Sequence, residues 1–329
     1  MSRLNLTVAT AYYDHVADLI NGKVSVDGVD LNWLTFRVEE IFFRFLVHRE
    51  FDVSEVSLAK YASMVSQNDK SLVAIPVFTS RVPRHSSIFV RTDGRVRTPA
   101  DLNGCRIGLP EWAQTAAVYS RGLLAHQYGV DLSSVTWIQA GVDQAGRVEK
   151  VKLNLPNGMV LKSLPEKTLS GMLIDGEIDC VLSASPPSCF REHPGIVRRL
   201  FDDVFAEEIS YVRSTGIFPI MHTVAIRAEV ADRNPWLAAN LYAAFDEARR
   251  RSVERALFGG VSAYPIPWFY EYARQARDLF GGDLWAYGIQ PNRTTLKAFL
   301  QYAYEQGVCH RLLEPEELFA PQVQRTFKA

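Results

Sequence analysis

The densest group of residues able to do chemistry is Ser80-Arg81-Val82-Pro83-Arg84-His85-Ser86, set between two apolar runs. Two guanidiniums and an imidazole this close can grip a carboxylate through paired N–H donors and supply a proton beside it. The plainer alternative is a solvated basic turn. A second group, Glu111-Trp112-Ala113-Gln114-Thr115, follows the run CRIGLP and opens a helix-like segment. Free N–H groups at a helix start attract anions and Thr115 adds a hydroxyl, although an ordinary N-cap has the same appearance in sequence. Arg121 lies about two turns further along, positioned to reach a cleft or to face solvent. The third group is Phe218-Pro219-Ile220-Met221-His222, where the bland reading of the imidazole is a satisfied core residue. Asp14, next to Tyr12 and Tyr13, and Glu55, next to Ser54, follow strand-like runs. They are candidate bases, in positions where capping is the commoner task.

Several familiar signatures are missing from these groups. The sequence has no GxGxxG after a strand, no GxxxxGK[ST], no GxSxG and no HExxH, so dinucleotide, nucleotide-triphosphate, α/β-hydrolase and zincin chemistry lose their main support. Cys105, Cys180, Cys189 and Cys309 form no CxxC pair and have no histidine at finger spacing, which argues against structural zinc and a disulfide framework. No spacing of Asp, Glu and His favours a catalytic metal. With 36 Lys and Arg against 37 Asp and Glu, the 329-residue chain has no electrostatic footprint for nucleic acid or anionic lipid. Small molecules or protein subunits are the expected partners. The opening MSRLNLTVATAYYDHVADL has no apolar run of secretory type, and no stretch approaches the roughly 20 apolar residues of a bilayer span, so a cytoplasmic location is expected.

The elements that must position these groups alternate between periods. Leu4, Leu6 and Val8 read as a strand, His15 to Asn21 as a short helix, and Val29, Leu31 and Trp33 as a second strand. Val38 to His48 is helical, with Ile41, Phe42, Phe45 and Leu46 on one face. FDVSEVSLAKYASMV predicts a short strand, a loop at Ser54-Glu55 and another helix. SLVAIPVF, SSIFVR and CRIGLP are further strands, and Thr115 to Gln127 is a helix. A strand at Val135 to Gln139 precedes an irregular stretch, Gly141 to Pro165, with hairpin potential. PIMHTVAIR is a strand that returns to the first block, and the segment after it is mostly helical. Alternation of this kind implies parallel βαβ units. The polar stretch RTDGRVRTPADLNG suits a crossing near Arg91 and a second falls near Thr215, which predicts two lobes: residues 1–91 with 216–329, and residues 92–215. A cleft between lobes is where a small ligand binds.

Taken together, YYDHVADLINGKVSVDGVDL, VEEIFFRFLVHREFDVSEVSLAKY, VAIPVFTSRVPRHSSIFVR, PADLNGCRIGLPEWAQTAAVYSRGLLAHQYGV, GEIDCVLSA and TGIFPIMHTVAIR resemble the 4,5-dihydroxyphthalate decarboxylase family. The resemblance runs in order from about residue 6 to residue 245. The elements RxPRHS, TAxxYxRGLL and GIFPIMH are specific to that family, whereas VRTDGRVRTPADLNGCRIGLP is similar to a crossing of the wider type 2 periplasmic-binding-protein superfamily. One departure is YYDHV where the resemblance leads to YDRT, so that His15 stands in place of an arginine.

The resemblance implies a two-lobed α/β fold and a cytoplasmic carboxy-lyase of phthalate degradation. Its reaction is non-oxidative decarboxylation of a hydroxylated aromatic diacid, 4,5-dihydroxyphthalate to protocatechuate. Each carboxylate of that substrate is para to a hydroxyl, so the ring itself conducts the electrons and no cofactor is needed. The site then requires cationic anchors, an acid toward carbon and a base toward a hydroxyl. Arg81, Arg84 and Arg121, with Thr115, are the expected anchors. His85 is favoured over His222 as the acid, and Glu55 or Asp14 is the partner of the hydroxyls. Two rivals share the fold: a non-catalytic solute-binding protein for an aromatic carboxylate, and a chorismate-dehydratase-like enzyme. The aromatic run Trp268, Phe269, Tyr270 and Tyr272 suits a homo-oligomer contact.

Overall fold

The computed structural model describes residues 3–324. Most strands come from runs rich in Val, Ile and Leu and are largely buried, whereas Val29–Thr35 and Val160–Thr168, which carry more polar residues, stay partly exposed. The first sheet contains β1 (Leu4–Thr10), β2 (Val29–Thr35), β3 (Val53–Ser57), β4 (Leu72–Arg81) and, from far along the chain, β11 (Ile220–Arg227). Its order is β2-β1-β3-β11-β4. β1 pairs parallel with β2 and β3, and β11 inserts antiparallel between β3 and β4. The second sheet holds β5 (Ile88–Arg91), β6 (Arg106–Leu109), β7 (Thr136–Gly141), β8 (Val160–Thr168), β9 (Cys180–Leu182) and β10 (Val197–Arg199) in the order β10-β5-β9-β6-β7-β8. There β6, β7, β8 and β9 run parallel and β5 runs against β9 and β10.

Helices cover these sheets. Among them α1 (Asp14–Ile20), α2 (Val38–His48) and α3 (Leu58–Ser66) serve the first sheet, and α4 (Thr115–Tyr128), α5 (Leu169–Ile174), α6 (Ser188–Glu192) and α7 (Val204–Thr215) follow in the second. After the return come α8 (Ala228–Arg233), α9 (Leu237–Ala256), α10 (Phe269–Leu279) and α11 (Arg293–Glu305). α4 is buried over most of its length, and α11 packs on it closely. A Cβ at Gly122 would come within 2.2 Å of the Tyr302 ring, so only glycine fits there. α7 ends on Gly216 in the left-handed region, which turns the chain back toward β11.

Three expectations need correction. Ser54 and Glu55 lie inside β3, not in a loop: all five residues of VSEVS are buried, and the Ser54 hydroxyl is satisfied by the Ala9 carbonyl at 3.1 Å. A polar residue that finds such a partner does not interrupt a strand. β5 pairs within the second sheet, so the chain first passes between the sheets at residues 82–87, ahead of the polar stretch that follows Arg91. β8 joins β7 in parallel, so it makes no hairpin. No helix among the described residues is long and apolar enough to cross a membrane.

Candidate functional site

A cavity of about 280 Å³ opens where the two sheets face each other, at the small end of ligand pockets and suited to a one-ring ligand. The first sheet and its helices supply Tyr13, Phe42, Ser57, Lys60 and His222 to its wall. The second supplies Glu111, Gln114, Thr115, Arg147 and Ser185, and Arg84 lines it from the crossing between them.

The insertion of β11 beside β3 creates the central pair. His222 stands opposite Ser57 and Val224 opposite Glu55, which makes His222 and Glu55 diagonal neighbours on one face. Their side chains close the gap, with Nδ1 of His222 3.2 Å from Oε2 of Glu55. On its other edge β11 shifts register on both sides of His222, the kind of irregularity that re-aims a side chain. Glu55 is fully buried and accepts three further bonds: from the Ala11 backbone N–H at 2.5 Å, the Tyr13 hydroxyl at 3.0 Å and the Thr79 hydroxyl at 2.9 Å. Burial by itself would raise the Glu55 pKa. The His222 contact and the Ala11 and Thr79 bonds outweigh it and hold the carboxyl below its ordinary value. An ionised Glu55 assigns the Nδ1-protonated tautomer to His222 and leaves Nε2, across the ring, to the cavity. Phe42 meets the imidazole edge-to-face at 4.9 Å and limits its rotation.

Arg84 is a buried cation without a counter-ion in contact. Its guanidinium donates to the Ser87 hydroxyl at 3.3 Å and the Ala184 carbonyl at 3.4 Å, touches the Met221 sulfur, and leaves Nε without a partner. Burial pulls its pKa down to about 10. An unpaired buried charge costs several kcal/mol, and a ligand carboxylate would offset that cost. Thr115, at the first turn of α4, exchanges a hydrogen bond with Ser57 at 2.9 Å and accepts from the Ala59 N–H at 3.1 Å, which joins the two sides of the cavity. Nearby, Glu111 lies 2.7 Å from Lys60 Nζ, 2.6 Å from Arg147 Nε and 3.6 Å from Lys150 Nζ.

The remaining expected site residues do not reach this cavity. His85 is packed against Tyr128, Phe201 and Tyr211, neither ring nitrogen has a partner, and burial pulls its pKa down to about 4. It is a neutral aromatic-core residue at ordinary pH, a poor choice for the acid. Arg81 points to the C-terminal segment, donating to the carbonyls of Phe218 at 3.0 Å and Ala286 at 3.3 Å and stacking on the Phe218 ring. Arg121 is fully buried over Trp112 at 3.8 Å and donates to Gln306 and the Trp112 carbonyl. Asp14 accepts from Ser252 and Tyr264, both at 2.5 Å, and tethers α1 to α9 and the loop after it. Conversely, Lys60, Arg147 and Tyr13 line the cavity without having been assigned roles from sequence. A lone lysine in the apolar helix segment SLAKYASMV was a usable signal. Arg147 sits in irregular chain and carried none. Among the described residues, no three His, Cys, Asp or Glu side chains are grouped to hold a metal ion.

Two facing α/β layers, crossed twice by the chain and enclosing a polar cavity, define the type 2 periplasmic-binding-protein class. The chain is accordingly similar to the periplasmic aliphatic sulphonate binding protein SsuA of Escherichia coli, with a TM-score of 0.53 at 12% identity, covering 98% of this chain and 99% of that one. That likeness concerns the fold. At the level of sequence the chain is 39% identical over 330 residues to the 4,5-dihydroxyphthalate decarboxylase of Comamonas testosteroni, covering 100% of both. It is 41% identical over 198 residues to the enzyme of the same name from Pseudomonas putida, covering 60% of this chain and 77% of that protein. The chain belongs to the 4,5-dihydroxyphthalate decarboxylase family. No family model matches it.

Proposed function

We propose that the protein decarboxylates 4,5-dihydroxyphthalate to protocatechuate, with His222 as the acid toward carbon and Arg84 as a carboxylate anchor. The observation that carries this reading is the convergence, in one cavity, of an imidazole held by a buried carboxylate and a buried guanidinium with no counter-ion. Protonated His222 delivers a proton from Nε2 to the ring carbon that bears one carboxylate. The electrons for the new C–H bond come from the ring, pushed by the para hydroxyl. A phenol donating to the Tyr13 oxygen completes a chain that ends on the Glu55 carboxylate, and this draws the proton off the hydroxyl as the ring is protonated. The bond to the carboxylate then breaks, its electron pair restores the aromatic ring, and CO2 leaves. The phenol recovers its proton, so the net reaction consumes one proton, which solvent returns to His222. Thr115 and Ser57 present hydroxyls beside the anchors. Glu55 acts on the imidazole as well, fixing its tautomer as a carboxylate does in a catalytic triad.

The same reading places the protein in the cytoplasm, working on a small aromatic acid with neither nucleic acid nor membrane as partner. Trp268, Tyr270 and Tyr272 are exposed, as a homo-oligomer contact requires. We take the lobes to be residues 1–91 with 216–329 and residues 92–215, with β5 contributed across that limit to the second sheet. The direct test is incubation with 4,5-dihydroxyphthalate in D2O. One deuterium at the vacated ring carbon and one CO2 per product are expected. Tight binding without CO2 release would make the protein a solute-binding member of its class.

A further inference from the structure

We propose that Lys60, Arg147 and Lys150 form a second anion subsite of the cavity, and that Glu111 is its internal stand-in, displaced by an incoming ligand carboxylate. This deepens the diacid reading and rests on it. A diacid brings two negative charges, and Arg84 answers one of them.

Glu111 is 1% exposed, so its carboxylate is a structural component of the cavity and not a surface charge. Three cations from two parts of the chain converge on it, and two of them, Lys60 and Arg147, line the cavity. Lys60 stands on α3 of the first sheet's side, while Arg147 and Lys150 come from the chain between β7 and β8. The cluster has two positive charges in excess. Burial would raise the Glu111 pKa, but Lys60 and Arg147 outweigh it and keep the group ionised at neutral pH. Other carboxylates are accounted for: Glu149 is engaged by the backbone N–H groups of Ala113 and Lys150, and Glu39 is exposed at the rim.

The alignment of the internal pair is what makes it exchangeable. The Arg147–Glu111 contact is buried at both atoms and only 2.6 Å long, yet it is out of line for a hydrogen bond. Charges that attract without lining up leave the directional part of the interaction unmade. A ligand carboxylate free to choose its orientation can make it. Removing the Glu111 charge while keeping its shape therefore removes a competitor and strengthens the field on the ligand. A carboxylate that only propped the cations in place would have the opposite effect.

The probe is phthalate, which keeps the two adjacent carboxylates and lacks the hydroxyls that drive turnover. Calorimetric titration should give a Kd about tenfold lower for Glu111→Gln than for the natural protein, a change of about 1.4 kcal/mol. Lys150→Met, at an exposed position, should raise Kd about fivefold or more. Unchanged or weaker binding by a folded Glu111→Gln overturns the proposal, because a structural lesion does not tighten a site. Should that variant fail to fold, Lys150→Met decides, and unchanged phthalate affinity there overturns it. If the natural protein does not bind phthalate, the diacid reading falls and takes this subsite with it, an outcome distinct from binding that ignores Glu111.

Discussion

Residue types pointed to a site of arginines and histidines, while their tertiary neighbours decided which copies line the cavity. Three arginines stood out in sequence as anchors; all three are buried with one N–H unpartnered, yet only Arg84 lines the cavity. Arg81 and Arg121 direct their guanidiniums away from it, onto backbone carbonyls, Gln306 and aromatic faces. That difference is tertiary and has no sequence signal. Because a charge-assisted hydrogen bond contributes roughly 1.5–3 kcal/mol, Arg84→Ala should lower kcat/KM about tenfold or more. Arg84→Lys should recover only part, for want of a planar fork. His85 gives a test of a different kind. Its pKa of about 4, like that of His15, lies below the ordinary histidine value near 6.5 because burial penalises the charged form. The native state therefore binds fewer protons than the unfolded chain between about pH 4 and 6.5. The stability these groups contribute is complete above that window and is lost as pH falls through it, by about 1.4 kcal/mol per unit for each group. His85→Phe, which keeps the aromatic packing, should flatten the decline of melting temperature between pH 7 and pH 4.5 and leave turnover at pH 7 unchanged within about twofold. A large loss of kcat in that variant would return His85 to the site.

At the scale of elements, local periodicity was legible and long-range pairing was not. The helix at Val38–His48 and the strand of PIMHTVAIR follow from spacing alone. The insertion of β11 between β3 and β4 does not, and this insertion brings His222 against Glu55 across 167 positions of sequence. For the same reason VSEVS read as a short strand giving way to a loop at Ser54-Glu55, while all five of its residues are buried in one strand. The TAxxYxRGLL element is mostly architecture: the Tyr119 hydroxyl accepts from the Ile220 N–H at 3.2 Å, and Gly122 lets α11 approach. Gly122→Ala should overpack that contact and destabilise the protein by about 1–3 kcal/mol, measured as a shift of the urea midpoint. Thr115→Val removes the bonds that join α4 to Ser57 and Ala59. It should cost about 1–3 kcal/mol and raise KM more than it lowers kcat, because the lost contact sits at the junction of the cavity walls.

The whole molecule has a binding-protein architecture, with His222 and its partner Glu55 at the cavity between its two sheets. The class was legible because alternating elements with two crossings admit few topologies, and the family because its motifs recur in order along most of the chain. Which groups face the cavity depended on how the two layers close, and Arg147, in irregular chain, is visible only once they do. The central claim is that His222, held by Glu55, protonates the ring carbon. A positioned acid contributes about 10² to 10⁴ in rate. The most direct measurement is CO2 release from 4,5-dihydroxyphthalate by the natural protein and by His222→Gln under saturating substrate. The account predicts steady release by the former and a kcat lower by at least about a hundredfold in the latter, with KM changed little. Equal rates from the two proteins would contradict it.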